Sequence, residues 1–113
     1  MRGTLKGFKK RYILIKVLNK VEQEIISKAL KDSILALLGE YGFFRCEISL
    51  TKYVGDFALV EFKYKELNPL VFHLILHRSR SFGLVAIPIK SFGTIKRALE
   101  HLDVLIKKDK NGG

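Results

Sequence analysis

The sequence predicts an α/β sandwich: a four-stranded antiparallel sheet with element order βαββαβ and one helix added at the C-terminus. Three observations lead there. Four short apolar stretches suit strands, two longer stretches with apolar residues at helical spacing lie between them, and a third helical stretch follows the last strand. At 113 residues the chain fits one domain, which buries roughly two-thirds of its unfolded surface. A hydrophobic content of 48% with only two prolines marks a globular chain rather than a disordered one. The expected boundaries are a basic arm over 1–10, the sandwich over 11–108 and a disordered tail over 109–113.

Arg11 to Leu18 (RYILIKVL) reads as the first strand, with Ile13, Ile15 and Val17 on one face and Tyr12, Leu14 and Lys16 on the other. Asn19, with Glu22 three residues on, makes a capping-box arrangement that starts a helix. This helix buries Val21, Ile25, Ile26, Ala29 and Leu30, then continues through Ile34, Leu35, Leu37 and Leu38. Asp32 and Ser33 are the place to bend or split it, and Gly39 and Gly42 supply the stop. Phe43 to Thr51 follows as the second strand, with Phe44, Cys46, Ile48 and Leu50 inward. A turn around Gly55 leads into the third, Phe57 to Tyr64. There Ala58, Val60, Phe62 and Tyr64 share one face, and Phe57, Leu59, Glu61 and Lys63 the other.

Asn68-Pro69 is a helix-start dipeptide, so Leu70 to Leu76 (LVFHLIL) reads as a helix, although its periodicity alone also allows a strand. A helix this apolar exceeds what one sheet face covers, which marks Leu70, Val71, Phe72, Leu74 and Ile75 as a protein-docking surface. His77, Arg78 and Arg80 form a basic linker into the last strand, which begins at Phe82. Val85, Ile87 and Ile89 alternate there with Leu84, Ala86 and Pro88, so cover is expected on both faces. Gly93 allows a sharp turn, and Thr94 caps a final helix whose stripe is Ile95, Ala98, Leu99, Leu102, Leu105 and Ile106. Strand, helix, strand, strand, helix, strand, helix is the split βαβ pattern of ferredoxin-like and RNA-recognition-motif (RRM-like) domains, with a helix added. The added helix has a stripe of its own to cover the second sheet face.

The chain carries 21 Lys+Arg against 11 Asp+Glu, a net charge of +10 that calls for a polyanionic partner. The acids read as dispersed, with no cluster to hold a metal and no cofactor expected on the protein itself. A single cysteine, Cys46, excludes an intramolecular disulfide and fits a reducing compartment. The basic-then-apolar start superficially suggests a signal peptide, but Lys16, Asn19 and Lys20 interrupt the run and no cleavage site follows. No stretch reaches ~18 uncharged apolar residues, so a cytoplasmic location away from membranes is expected. Residues Met1 to Arg11 hold five cations and no acid, a composition that binds nucleic acid or simply aids solubility.

Lys96 and Arg97 oppose the dipole of the helix they begin. With Gly93, Thr94 and the bare N–H groups of that helix they suggest a phosphate seat; an ordinary strand–helix junction with solvated cations is the plainer alternative. The third strand invites comparison with the RNA-recognition-motif signature, which Phe57, Ala58, Val60 and Phe62 match in part. Asp56 stands where glycine is wanted, Leu59 replaces a stacking aromatic, and Leu14 does the same on the first strand. That face is therefore expected to be covered core, with RNA contact coming from edges, loops and the arm. No catalytic site assembles: His73 and His77 are one helical turn apart but lack a third ligand, and Cys46 has no activating neighbour. An acylphosphatase-like enzyme would need an arginine loop after the first strand, where Leu18-Asn19-Lys20 stands.

The KKRYILIKV start, the LLGEYG helix exit and the GTIKRA segment together resemble the family of archaeal ribonuclease P protein component two, over nearly the whole chain and in the same order. The resemblance implies an RNA-recognition-like sandwich that works as a non-catalytic subunit, helping a catalytic RNA remove the 5′ leader from precursor tRNA. It also implies a TIM-barrel partner, component three, in a dimer of heterodimers (a heterotetramer), and Mg²⁺ required by the RNA. The family has Ser-Gly-Thr before the last helix; here Phe92 takes the serine's place and Ser91 sits one residue early, while Gly93 and Thr94 align. The expected RNA contacts are Lys9, Lys10, Arg11, Arg78, Arg80, Gly93, Thr94, Lys96 and Arg97. A ribosomal or general RNA-binding protein of ferredoxin-like fold is the rival.

Overall fold

The computed structural model describes residues 10–63 and 69–112. The elements are β1 (Arg11–Val17), α1 (Gln23–Cys46), β2 (Ser49–Val54), β3 (Phe57–Phe62), α2 (Pro69–Ser79), β4 (Ala86–Phe92) and α3 (Ile95–Gly112), with a 3-10 turn over Arg80–Phe82. The strands form one antiparallel sheet in the spatial order β2-β3-β1-β4. The chain is thus a mixed α/β sandwich on a four-stranded antiparallel sheet. Its last helix runs past the expected domain end at residue 108 to Gly112, so 109–112 continue the helix instead of forming a disordered tail.

Alternation along the two central strands divides the interior into two cores. Ile13, Ile15 and Val17 of β1 and Ala58, Val60 and Phe62 of β3 face the layer made by α1 and α2. Tyr12 and Leu14, with Phe57 and Leu59, face the opposite side, where Ala98 and Leu102 of α3 meet them. Ile95, Leu99, Leu105 and Ile106 pack at the margin of that second core, so the whole predicted stripe of α3 faces the sheet. Leu14 and Leu59 have no exposed surface left. Each such leucine contributes about 1.5–3 kcal/mol relative to an exposed one.

α1 begins later and ends later than its sequence suggests. Its N-cap is Glu22, which makes no side-chain capping bond. Asn19 does something else: its Nδ2 donates to the Gly83 carbonyl, and its Oδ1 accepts the Val85 N–H, both at 2.9 Å. That clip fastens the β1 exit to the β4 entry and uses the amide the capping box required. Ile26, Ala29, Leu30 and Ile34 are buried as expected, whereas Ile25, Leu35 and Leu37 are exposed. Ser33 neither bends nor splits the helix; its buried hydroxyl donates to the Ile75 carbonyl of α2 at 2.6 Å. The break comes at Gly39, with φ 75° and ψ −179°, a conformation open to glycine. A second helical segment follows and occupies Phe43 to Cys46, which the sequence pattern assigned to a strand. Gly42 and Cys46 are buried at i,i+4 spacing, and Phe44 points out at 74% exposure instead of inward. Period two and period 3.6 share position 46, which is why the alternation misleads. β2 is accordingly short and starts at Ser49.

The last strand also departs from expectation. The chain from Arg80 to Phe82 is a 3-10 turn closed by Gly83 at φ 95°, and the strand itself starts at Ala86. β4 is an edge strand bonded to β1 alone. Ile87 and Ile89 remain open, and neither joins the core that α3 makes with the central strands. Pro88 in its middle is tolerated for the same reason: an edge strand has one side with no ladder to complete. No helix among the described residues is long and apolar enough to cross a membrane.

Candidate nucleic-acid interface

Strand register decides which cations can meet. β1 and β4 pair with Tyr12 opposite Phe92 and Val17 opposite Ala86. Lys10 and Arg11 therefore lie beside the end of β4, where Gly93 and Thr94 lead into α3. Lys96 and Arg97, in the first turn of α3, belong to the same end of the sheet, and all four side chains are exposed. Lys10 Nζ stands 3.6 Å from a Glu61 carboxylate oxygen, a surface pair worth less than about 1 kcal/mol. Arg11, Lys96 and Arg97 make no ion pair among the described residues. Thr94 caps the helix: its Oγ1 accepts the Arg97 N–H at 3.3 Å and its carbonyl accepts the Ala98 N–H at 3.2 Å. No acid sits in that first turn, so the helix dipole and the two side chains add their positive potentials. Gly93 does not adopt a left-handed conformation, and a Cβ there would meet nothing within 4 Å, so the turn does not depend on glycine.

Arg78 and Arg80 do not join this group. α2 runs from the exit of β3 to the entry of β4, which carries both arginines to the opposite end of the sheet, near Val17 and Ala86. The seven residues of β1 separate the two ends by roughly 20 Å. Neither arginine is linker in the strict sense, since Arg78 lies in the last turn of α2 and Arg80 opens the 3-10 turn. Lys9 falls outside the described residues.

Sequence reasoning missed Lys90. It lies opposite Leu14 in the sheet, exposed, with its Nζ 5.8 Å from the Phe92 ring centroid, close to the first cation group. A signal for it was present: the acids are not evenly dispersed, for no Asp or Glu occurs anywhere from residue 67 to residue 99. That stretch builds α2, β4 and the start of α3, and its charges are Arg78, Arg80, Lys90, Lys96 and Arg97. Of the remaining acids, Glu61 of β3 stands at the same sheet end, opposite Tyr12 and beside Lys10.

The remaining candidates separate clearly. The sheet face that stacks bases in RNA-recognition motifs is covered by α3, with Tyr12, Leu14, Phe57 and Leu59 all buried. Of the five residues expected to form a docking face on α2, Phe72 and Ile75 have no exposed surface and belong to the core, because the face of α2 they share with Leu76 and Ser79 is the one pressed on the sheet. Val71 is partly buried beside them. Leu70 and Leu74 point outward, at 71% and 48% exposure. His73 and His77 are exposed on α2, and no group of three metal-ligating side chains occurs among the described residues. Asp56 and Glu61 lie toward opposite ends of β3, ~17 Å apart along the strand, too far to share a proton. Cys46 is buried, which pushes its thiol up to about 12.

Compared with known proteins, the chain matches no family model and no characterised sequence. Its resemblance to the ribonuclease P subunit family therefore rests on the three sequence motifs.

Proposed function

We propose that this chain is a non-catalytic RNA-binding subunit of ribonuclease P, supporting the RNA-catalysed removal of the 5′ leader from precursor tRNA. The observation that carries the reading is the sheet end at which Arg11, Lys90, Lys96 and Arg97 gather around the capped start of α3, with no ion pair among the described residues to neutralise them. The βαββαβ element order, with strands arranged β2-β3-β1-β4, supports a ferredoxin-like, RNA-recognition-like sandwich. The three family motifs lie along that same framework.

The physical role follows from charge. Phosphates crowd one another around the active site of a folded RNA, and Mg²⁺ screens them. A subunit of net charge +10 that seats phosphates on exposed Lys and Arg side chains offsets part of that repulsion and releases condensed counterions. Less Mg²⁺ is then needed to hold the active RNA fold, and the RNA keeps the bond-breaking step. On this reading the TIM-barrel subunit, component three, pairs with the chain in a dimer of heterodimers, and the outward Leu70 and Leu74 of α2 serve that contact. Pre-tRNA cleavage by ribonuclease P RNA is measured at limiting Mg²⁺ with and without this chain and the presumed partner. A lowered Mg²⁺ requirement is expected. Equal binding of unrelated RNAs, with no change in that requirement, would favour a general RNA-binding protein instead.

A further inference from the structure

We propose that the groove between α2 and the free edge of β4 holds an extended, acidic segment of a partner protein. Two adjoining cavities of about 310 and 290 Å³ open along it, with His73 and Pro88 lining both. The floor is core: Ile13, Phe72 and Leu76. One wall is β4, with Ile89 37% exposed at the rim and Ile87 reaching the second cavity only from the strand edge, since it pairs with Lys16 on the other sheet face. The other wall is α2 with His77 and the following Arg80. β4 pairs only with β1, and the Leu18 N–H donates to the Val85 carbonyl at 2.7 Å. Alternation from that bond turns the polar groups of Ala86 and Pro88 away from β1, toward the open edge. An open strand edge beside a helix gives an extended peptide both backbone partners and side-chain pockets.

Charge and shape select the occupant. Both walls come from the acid-free stretch, and Lys90 and Arg80 stand toward opposite ends of the groove, so carboxylates are favoured along its length. A second copy of this chain would bring the same cations, on a net charge of +10, against themselves. RNA bases find no Phe, Tyr or Trp ring to stack on, since Phe72 is wholly buried and stacked on Phe62 with centroids 6.1 Å apart; the rings the groove exposes are the imidazoles of His73 and His77. Aliphatic side chains alternating with carboxylates satisfy both the floor and the rim. Pro88 offers a carbonyl but no N–H, so pairing centres on Ala86 and the edge does not accept strands indiscriminately. The seven residues of β4 span roughly 20 Å, room for a segment of about six or seven residues. The groove shares Lys90 with the cation-rich sheet end, so the variant that separates this proposal from the RNA reading is one at Ile89, which carries no charge.

The test uses two fluorescein-labelled heptapeptides, Glu-Val-Glu-Ile-Glu-Val-Glu and its counterpart with lysine in place of glutamate, titrated against the full chain and mapped by ¹H–¹⁵N spectra. The acidic peptide is expected to saturate, shifting amides of His73, Ala86, Ile87 and Ile89, while the basic one does not. Arg80→Glu with Lys90→Glu should weaken it at least tenfold, and Ile89→Asp should do the same without touching either cation. Lys108→Glu, on the exposed C-terminal part of α3, should leave binding unchanged. The proposal is overturned by equal binding of both peptides, by no binding, or by shifts confined to the start of α3. It is equally overturned if oligouridylate saturates the groove amides, or if sedimentation shows the chain dimerising through β4.

Discussion

Replacing both Lys96 and Arg97 with alanine should move stability and RNA affinity in opposite directions. Both side chains are exposed, neither has an ion pair among the described residues, and the Thr94 cap uses only the backbone of Arg97. Cations at the start of a helix oppose its dipole by about 0.3–1 kcal/mol each at low ionic strength, so their removal stabilises the fold by about 1 kcal/mol in total. For 113 residues, with an unfolding entropy of about 2.1 cal/mol/K per residue, that raises Tm by about 4 °C. If each side chain seats one phosphate, the salt dependence of RNA binding becomes shallower by about 1.4–1.8 in log–log slope. Across a fourfold rise in salt, the affinity gap between wild type and variant then closes by about tenfold. Filter binding to ribonuclease P RNA in 50–200 mM KCl, with thermal melts in the same buffers, reads both quantities. An unchanged slope would remove these residues from the phosphate site. A Tm lowered by several degrees would instead assign them a structural role.

Leu102→Ala removes a nearly buried side chain from the second core and should cost about 2–5 kcal/mol in urea unfolding, against less than about 0.5 for the exposed Val104→Ala. Equal costs would mean that α3 does not pack on the sheet. Gly39→Ala should destabilise by about 1–3 kcal/mol although nothing lies within 4 Å of its Cβ, because the cost is backbone strain; a neutral result contradicts the break. Cys46 should resist iodoacetamide at pH 8 in the folded chain and react once urea unfolds it. Its folded value, about 12, lies above the ordinary thiol value of 9.0, so its contribution to stability is complete below about pH 9 and is lost as pH rises toward 12. Unfolding midpoints should therefore fall over that window less in Cys46→Ala than in wild type.

Much of the sandwich could be read from one dimension because the central strands and α3 obey a single rule each. Ile13, Ile15 and Val17 alternate against Tyr12 and Leu14, and the stripe from Ile95 to Ile106 keeps helical spacing throughout. The errors fall where two periods coincide or where a partner distant in sequence takes over a side chain. Cys46 satisfies both a strand and a helix, so only the Gly39 break reveals that a second helical segment precedes β2. Asn19 looked like a cap, but Gly83 and Val85, more than sixty residues away, engage its amide. Exposure of Ile87 and Ile89 was hidden because composition does not say which strand lies at an edge. How the expected cations group in space was not legible: Arg78 and Arg80 are near Lys96 and Arg97 in sequence, and antiparallel register sends the two pairs to opposite ends.

That separation constrains any RNA this chain holds. With α3 over the sheet, the four residues that would meet bases are sealed in the second core, and Phe92 beside them is partly buried. Contact is left to side-chain cations and helix N–H groups, which grip phosphate and sugar and carry little sequence information. Selectivity must then come from shape: two cation groups roughly 20 Å apart match only backbones folded to present phosphates at that spacing. A flexible single strand can reach both groups but loses conformational entropy in doing so, whereas a prefolded RNA does not. If the proposed RNA-binding role holds, charge placed on such a sandwich with that sheet face closed favours a structured RNA over a linear sequence motif.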